Sequence, residues 1–507
     1  MNIQEAKQEI VNTLRAYHSR DENGRYRFPL VRQRPILLMG PPGVGKTAIM
    51  EQIAAEEGVG LVAYTMTHHT RQSAIGLPHI EKRSYQGAEP VSVTEYTLSE
   101  IIAAVYDCME RTGKREGILF IDEINCVSET LAPTMLQFLQ NKTFGNHKVP
   151  EGWLIVAAGN PPEYNRTARE FDIVTLDRVR RIDISADLGV WMDYARQQNV
   201  HGAILSYLSI REDQFYHVER TPEDVSFVTA RGWEDLSALM RGYEELDVAV
   251  TEDQIRQYLQ NDDIARGFAA YYQLYCKYGA DYDIPGILDG TMADISNQIA
   301  MAQNGGLDER FTVVNLTLDC LNTQLARYEW QDRTITRLHE ILGQLKLFLK
   351  DQPNMDCLDS FLQTRREALE MKLRAELLTD QEQRMDTWTL ERLERYNLTL
   401  KQEHIRDTDG GFARIKTLFQ SEVDERAKMA AQASGQLDRA FHFLERCFGD
   451  GQEMVLFVSA LTRMDRAMRF VSLHGCASYL RHSGVMLYQE RETALREACM
   501  DVLNQTQ

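Results

Sequence analysis

The pattern of apolar and polar positions changes character near residue 190. Before it, four short apolar runs alternate with stretches of helical period. The runs are PILLMG, GLVAYTM, GILFIDE and WLIVAAGN, and the stretches include GKTAIMEQIAAEEG and SEIIAAVYDCMERTG. Strands that are apolar on both faces, with helices between them, predict a parallel sheet covered on both sides. From DLGVWMDYARQQ onward the strand signal almost disappears. Residues 190–245 predict a small helical module, and residues 250–345 predict further helices broken at YDIPGILDG and AQNGGLDE. Residues 356–405 are rich in Glu, Arg, Leu and Gln and contain neither Gly nor Pro. They predict one long helix or a helical hairpin of coiled-coil character, ended by RDTDGG. The remainder returns to compact helical patterns, of which EMVLFVSALTRMDRAMRFVSLHGCASYL is the most core-like.

Composition narrows the class. A chain of 507 residues implies about three domains. Its net charge of -19 and pI near 5.2 argue against nonspecific nucleic-acid binding, which needs clustered Lys and Arg to neutralise phosphates. No apolar run approaches the ~18 residues of a membrane span. The start, MNIQEAKQEIVNTLRAYHSR, is charged and amphipathic and has no apolar core of a secretory signal. The eight cysteines are scattered without a Cys/His cluster, which fits reduced thiols in a cytoplasmic protein rather than a metal or disulfide framework.

The strongest chemical signal is ILLMGPPGVGKTAIM, which fits G-x-x-x-x-G-K-[ST] between a strand and a helix. The loop residues Gly40, Pro41, Pro42, Gly43, Val44, Gly45, Lys46, Thr47 and Ala48 would curl backbone N–H groups around phosphates, aided by the helix N-terminus. Lys46 would reach the outer phosphates of ATP, and Thr47 would hold Mg2+. GILFIDEIN delivers Asp122 and Glu123 at the end of an apolar strand, where ligands sit in open parallel sheets. Asp122 would hold the metal through water, and Glu123 would polarise the attacking water. A third strand, LIVAAGNPPEYN, ends in Asn160, whose amide would orient that water; an Asn opening a turn before Pro161 and Pro162 is the plainer alternative. Nothing matches a guanine-reading N-K-x-D element.

The order GPPGVGKT, LFIDEIN, AAGNPPEYN, LDRVRR and SFVTARGWEDLS resembles the AAA+ ATPases, and within them the MoxR-like and dynein-related group, over roughly residues 30–245. The resemblance implies an α/β fold: a P-loop NTPase αβα sandwich with a parallel sheet and a small helical lid, followed by a largely all-α C-terminal half with a long helical, coiled-coil-like segment. The expected division is a large nucleotide-binding domain at 1–190, a lid at 191–247, a helical domain at 248–350, a charged helix or hairpin at 351–408 and a C-terminal helical domain at 409–507.

The same resemblance implies that Arg178 is an arginine finger reaching the nucleotide of an adjacent subunit. Its planar, permanently charged fork suits a developing phosphate charge. The family usually has Phe after this Arg, whereas this chain has Val179, so Arg181 stays a second candidate. An ion pair with Asp172, Asp177 or Asp183 is the structural alternative for Arg178. Arg231 matches the sensor arginine of the lid; a solvated Arg at a helix start would oppose the helix dipole.

TMTHHTRQSAIGLPHI matches the insert that faces the pore in MoxR-like proteins, with His68, His69 and Arg71 as candidate client contacts. LQNKTFGNHKVPEGW matches the hairpin before the Asn strand, with Gly145-Asn146 at its turn. MoxR-like ATPases commonly work with von Willebrand factor A partners. The metal motif of that module is not matched here, since DISNQ departs at its last position. The expected function is therefore an Mg2+- and ATP-dependent homo-oligomer, a hexameric ring that remodels or assembles partner proteins, with no membrane or nucleic-acid partner. The alternatives are a slowly hydrolysing nucleotide-gated binding switch and, less favoured, a nucleic-acid motor.

Overall fold

Strand β1 (Ile36–Met39) is buried at every position, as its unbroken apolar sequence requires. It lies inside a five-stranded parallel sheet ordered β2 (Gly60–Thr65), β5 (Gly117–Asp122), β8 (Trp153–Gly159), β1, β9 (Arg180–Asp183). The computed structural model describes residues 1–66, 76–83, 91–144, 147–165, 167–220, 225–350, 354–374 and 378–484. Side chains of a strand alternate between faces, and here both faces are covered. Leu37, Leu119, Ile121, Ile155 and Ala157 join one core with α3 (Glu100–Thr112) and α4 (Ala132–Asn141). Ile36, Leu38, Ile118, Phe120, Leu154 and Val156 join a second core with α1 (Ile3–His18) and α2 (Lys46–Glu56). The result is the expected three-layer αβα arrangement.

Strand β9 was not legible as a strand. Its sequence is RRID, only Ile182 is buried, and it pairs with β1 alone at the edge of the sheet. Two further hairpins accompany the sheet. β3 (Pro78–Arg83) pairs antiparallel with β4 (Val91–Tyr96). β6 (Thr143–Phe144) pairs antiparallel with β7 (His147–Lys148), the hairpin expected at TFGNHKV. Phe144 stacks on Phe138 of α4 with ring centroids 4.0 Å apart. The turn at Gly145-Asn146 and the candidates His68, His69 and Arg71 lie outside the described residues.

The chain divides into two compact units: Met1–Trp191 with Phe215–Asp235, and Met192–Gln214 with Leu236–Gln507. Besides the sheet, the first holds the short α5 (Ile173–Leu176) and a hairpin of β10 (His217–Arg220) and β11 (Val225–Val228). That hairpin departs from the expectation of helix alone after residue 190. α6 (Leu188–Gln197) and α8 (Ala230–Glu245) run across the division, and α7 (Gly202–Ile210) belongs to the second unit.

The second unit is largely all-α. α9 (Glu252–Tyr258), α10 (Asp262–Tyr282), α11 (Ile284–Asp289) and α12 (Ser296–Asn304) lead into α13 (Leu307–Leu349). The charged stretch is a hairpin of α14 (Cys357–Arg374) and α15 (Asp380–Gln402) rather than one long helix. Thr379 and Glu382 cap each other reciprocally at the start of α15, a capping box that stops the preceding pattern. RDTDGG does follow the end of α15, but its glycines sit inside α16 (Thr408–Phe448), because Asp407 caps that helix by accepting from Gly410 N at 2.6 Å. α17 (Gln452–Arg463) and α18 (Asp465–His474) complete the unit. One core joins α11, α12, α17 and α18 to the first half of α13 and the last half of α16; another joins α14 and α15 to the opposite ends of the same two helices. Among the described residues, no helix is long and apolar enough to cross a membrane.

Candidate nucleotide site

β1, β5 and β8 end side by side at Met39, Asp122 and Gly159, and the site is built where they stop. The chain leaves β1 through Gly40. A side chain there would meet the Ile184 carbonyl at 2.8 Å, so only glycine lets the turn pass beside the end of β9. Gly45 has φ +91°, a left-handed conformation glycine adopts freely, and it opens α2 with no side-chain cap. The first N–H groups of α2 are therefore left for a ligand at the positive end of the helix dipole.

Lys46 is 8% exposed. Its Nζ donates to the Gly40 carbonyl at 2.8 Å, the Pro41 carbonyl at 2.9 Å and Asn160 Oδ1 at 2.9 Å. Burial pulls its pKa down to about 8, Arg231 adds to that shift, and Asp122 and Glu123 oppose it. An ammonium so placed gains from a neighbouring anion. Thr47 Oγ1 donates to Asp122 Oδ2 at 3.1 Å, which brings the two expected metal ligands together across 75 residues of sequence. A hydroxyl beside a carboxylate is a hard oxygen pair of the kind Mg2+ takes along with phosphate oxygens, so the residues fit the ion.

Glu123 stands at the end of β5 with φ +54°. Its N–H donates to Asp122 Oδ1 at 2.8 Å. Among the described residues its carboxylate makes no hydrogen bond. Asn160 is held from behind by Asn125, a residue that sequence reasoning left without a role. Asn125 is 2% exposed and its Nδ2 donates to the Asn160 carbonyl at 2.7 Å.

The arginines separate clearly. Arg180 is tied to Glu9 and to Thr13 Oγ1, the latter at 2.7 Å, and Arg181 donates to Asp183 Oδ1 at 2.8 Å. Arg178 is exposed, has Asp172 as its charged neighbour, and makes no side-chain hydrogen bond or ion pair among the described residues. Val179 beside it is 4% exposed and anchors the turn in the core. Arg178 is not brought into the cluster around Lys46 within this chain. Arg231 is: a side chain on Gly43 would lie 3.1 Å from Thr229 and 3.5 Å from Arg231 Cβ. Tyr216 OH donates to the Pro42 carbonyl at 2.9 Å. Tyr216 was missed because its partner lies 174 positions away and QFYHVER carries no local motif.

Residues 36–176 match the family described as ATPase family associated with various cellular activities (AAA). Over this segment the chain is similar to an AAA domain. The match covers well under half of the chain and runs from β1 through α5, so Arg178 and Arg231 lie beyond it. No curated protein matches the chain. The parallel sheet, with helices on both faces and the glycine-rich loop between β1 and α2, is that of a P-loop NTPase.

Proposed function

We propose that this protein hydrolyses ATP with Mg2+ as a subunit of a ring, hexameric by its resemblance to MoxR-like ATPases, and uses the cycle to remodel or assemble partner proteins. The observation that carries the reading is the convergence of Lys46, Thr47, Asp122, Glu123 and Asn160 at the ends of three adjacent strands. A von Willebrand factor A partner rests on the resemblance alone.

The chemistry this geometry supports is positional and electrostatic. The loop N–H groups and Lys46 would bind the phosphate chain. Thr47 and Asp122 would hold Mg2+, which when bound draws charge from the phosphate oxygens. Glu123, with its carboxylate uncommitted, would orient water and take its proton. Asn160 has its Oδ1 on Lys46, which leaves Nδ2 to donate to the water or a phosphate oxygen. Arg231 lies beside the phosphate loop of its own chain. Arg178 has no such position in its own chain, which favours a neighbour's nucleotide over its own.

Mixing two inactive variants tests this. Glu123→Gln keeps its finger but cannot activate water; Arg178→Ala keeps its water site but lacks the finger. Restored ATP turnover on mixing supports an arginine acting across subunits. A mixture that stays inactive while tagged subunits co-purify would move that role to Arg181 and favour a slow nucleotide-gated switch.

A further inference from the structure

One carboxylate in the helical unit carries three guanidiniums. Glu329 on α13 accepts from Arg333 Nη2 at 2.7 Å, from Arg466 Nε at 3.0 Å and from Arg469 Nη1 at 3.1 Å. These side chains border a polar cavity of about 150 Å³ within that unit. Arg196 adds a fourth guanidinium to its wall and Asp465 a second carboxylate. The described lining thus holds four arginines against two carboxylates, in a chain whose net charge is -19.

The arginines differ in what they have left to offer. Arg466 is committed at all three nitrogens: Nε to Glu329, Nη1 to Asn322 Oδ1 at 2.9 Å, and Nη2 to the Gln197 carbonyl at 3.3 Å. Arg333 and Arg469 each place one nitrogen on the same oxygen, Glu329 Oε1. A guanidinium has five N–H donors in a fixed fork, so most of both forks remains open beside the cavity. Their side chains are 39% and 61% exposed, within reach of a solute. Behind them Arg196 is only 13% exposed on its side chain and meets Asp193 at 3.4 Å. Burial pulls its pKa down, so added negative charge nearby would favour its charged form.

We propose that this cavity binds a tetrahedral oxyanion, the dianionic phosphate group of a small phosphomonoester, between the open forks of Arg333 and Arg469. The surplus of two positive charges matches a dianion, and paired N–H donors match phosphate oxygens. The volume is below the ~300–1,000 Å³ of pockets that enclose a whole drug-sized ligand. It therefore suits a phosphate group with the rest of the molecule outside. If the arginines only staple α13 to α18, they need no ligand, and their loss lowers stability without changing anion affinity.

The test is calorimetric titration of the full chain with inorganic phosphate at constant ionic strength. Because the phosphate loop also binds this probe, the titration uses the Lys46→Ala variant. One equivalent of phosphate should still bind. Adding Arg333→Gln and Arg469→Gln should weaken it by about tenfold or more, equivalent to ~1.4 kcal/mol. Arg469→Lys, which keeps the charge but not the fork, should fall between and covers the case where the double change does not fold. The proposal is overturned if Lys46→Ala abolishes all phosphate binding, or if the arginine variants bind phosphate unchanged. Ribose 5-phosphate should bind at least as well as phosphate; a phosphoserine peptide binding tenfold more tightly would overturn the small-molecule assignment in favour of a protein partner.

Discussion

Asn125 offers the sharpest check on how the site is held. Its side chain is buried, and among the described residues its one short side-chain bond is the 2.7 Å donation to the Asn160 carbonyl; the donation to the Arg169 carbonyl is 3.4 Å and weak, and Oδ1 accepts from Cys126 Sγ at 3.8 Å. Asn125→Ala removes the donor and leaves the Asn160 carbonyl without that partner. Stranding a buried acceptor costs about 1–3 kcal/mol. For a unit of this size each kcal/mol lowers the melting midpoint by roughly 2–4 °C. Asn160 would also lose the bond that fixes its backbone, and with it the aim of its amide. We expect kcat for ATP hydrolysis to fall about tenfold, a loss of ~1.4 kcal/mol in the transition state, with KM little changed. Asn125→Asp, whose ionised carboxylate cannot donate, should do at least as much harm. Thermal unfolding and steady-state turnover measure both effects. A midpoint within about 1 °C of the parent, together with kcat within about twofold, would refute the idea that Asn125 positions Asn160.

Three other changes follow from single contacts. Tyr216→Phe removes the donor to the Pro42 carbonyl, a bond of about 1 kcal/mol, so labelled ADP should bind roughly two- to tenfold more weakly; unchanged affinity would remove Tyr216 from the site. Lys142, 3% exposed, donates to the Leu30 and Gln33 carbonyls, so Lys142→Met should destabilise the first unit by about 1–3 kcal/mol in a denaturant titration. A full-strength Met variant would mean that water replaces the ammonium. At Gly411 a methyl group would sit 2.5 Å from Met355 Cγ. Gly411→Ala should therefore cost about 1–3 kcal/mol by overpacking, and a stabilised variant would show that Met355 moves aside freely.

What the sequence made legible was what burial on both faces writes into it. β1, β5 and β8 are central, so ILLM, GILFID and WLIVAAG read as strands without help. β9 is an edge strand with two exposed arginines, and RRID looks like a charged turn. The hairpin of β10 and β11 is half solvated and equally mute. In the candidate site, Lys46, Thr47, Asp122 and Glu123 carry local motifs of the spacing that phosphate and metal chemistry would require. Asn125 and Tyr216 do not, because their partners are backbone carbonyls far along the chain, and any donor of the right reach would serve. In the helical unit the charged stretch showed the right composition, but the break at Thr379 depended on a capping pair read only three residues apart. The glycines of α16 misled for the opposite reason: a strong Asp407 cap overrides the usual meaning of Gly-Gly.

α13 and α16 are each shared by two cores, with Leu321 and Leu345 of one helix and Ile415 and Phe441 of the other buried in different clusters. At 1.5 Å per residue, the 43 residues of α13 extend about 65 Å. Neither core can come apart without fraying a helix that the other still holds. The helical unit should therefore lose its protection against hydrogen exchange as one cooperative block, with the slowest amides in the stretches of α13 and α16 that join the two clusters.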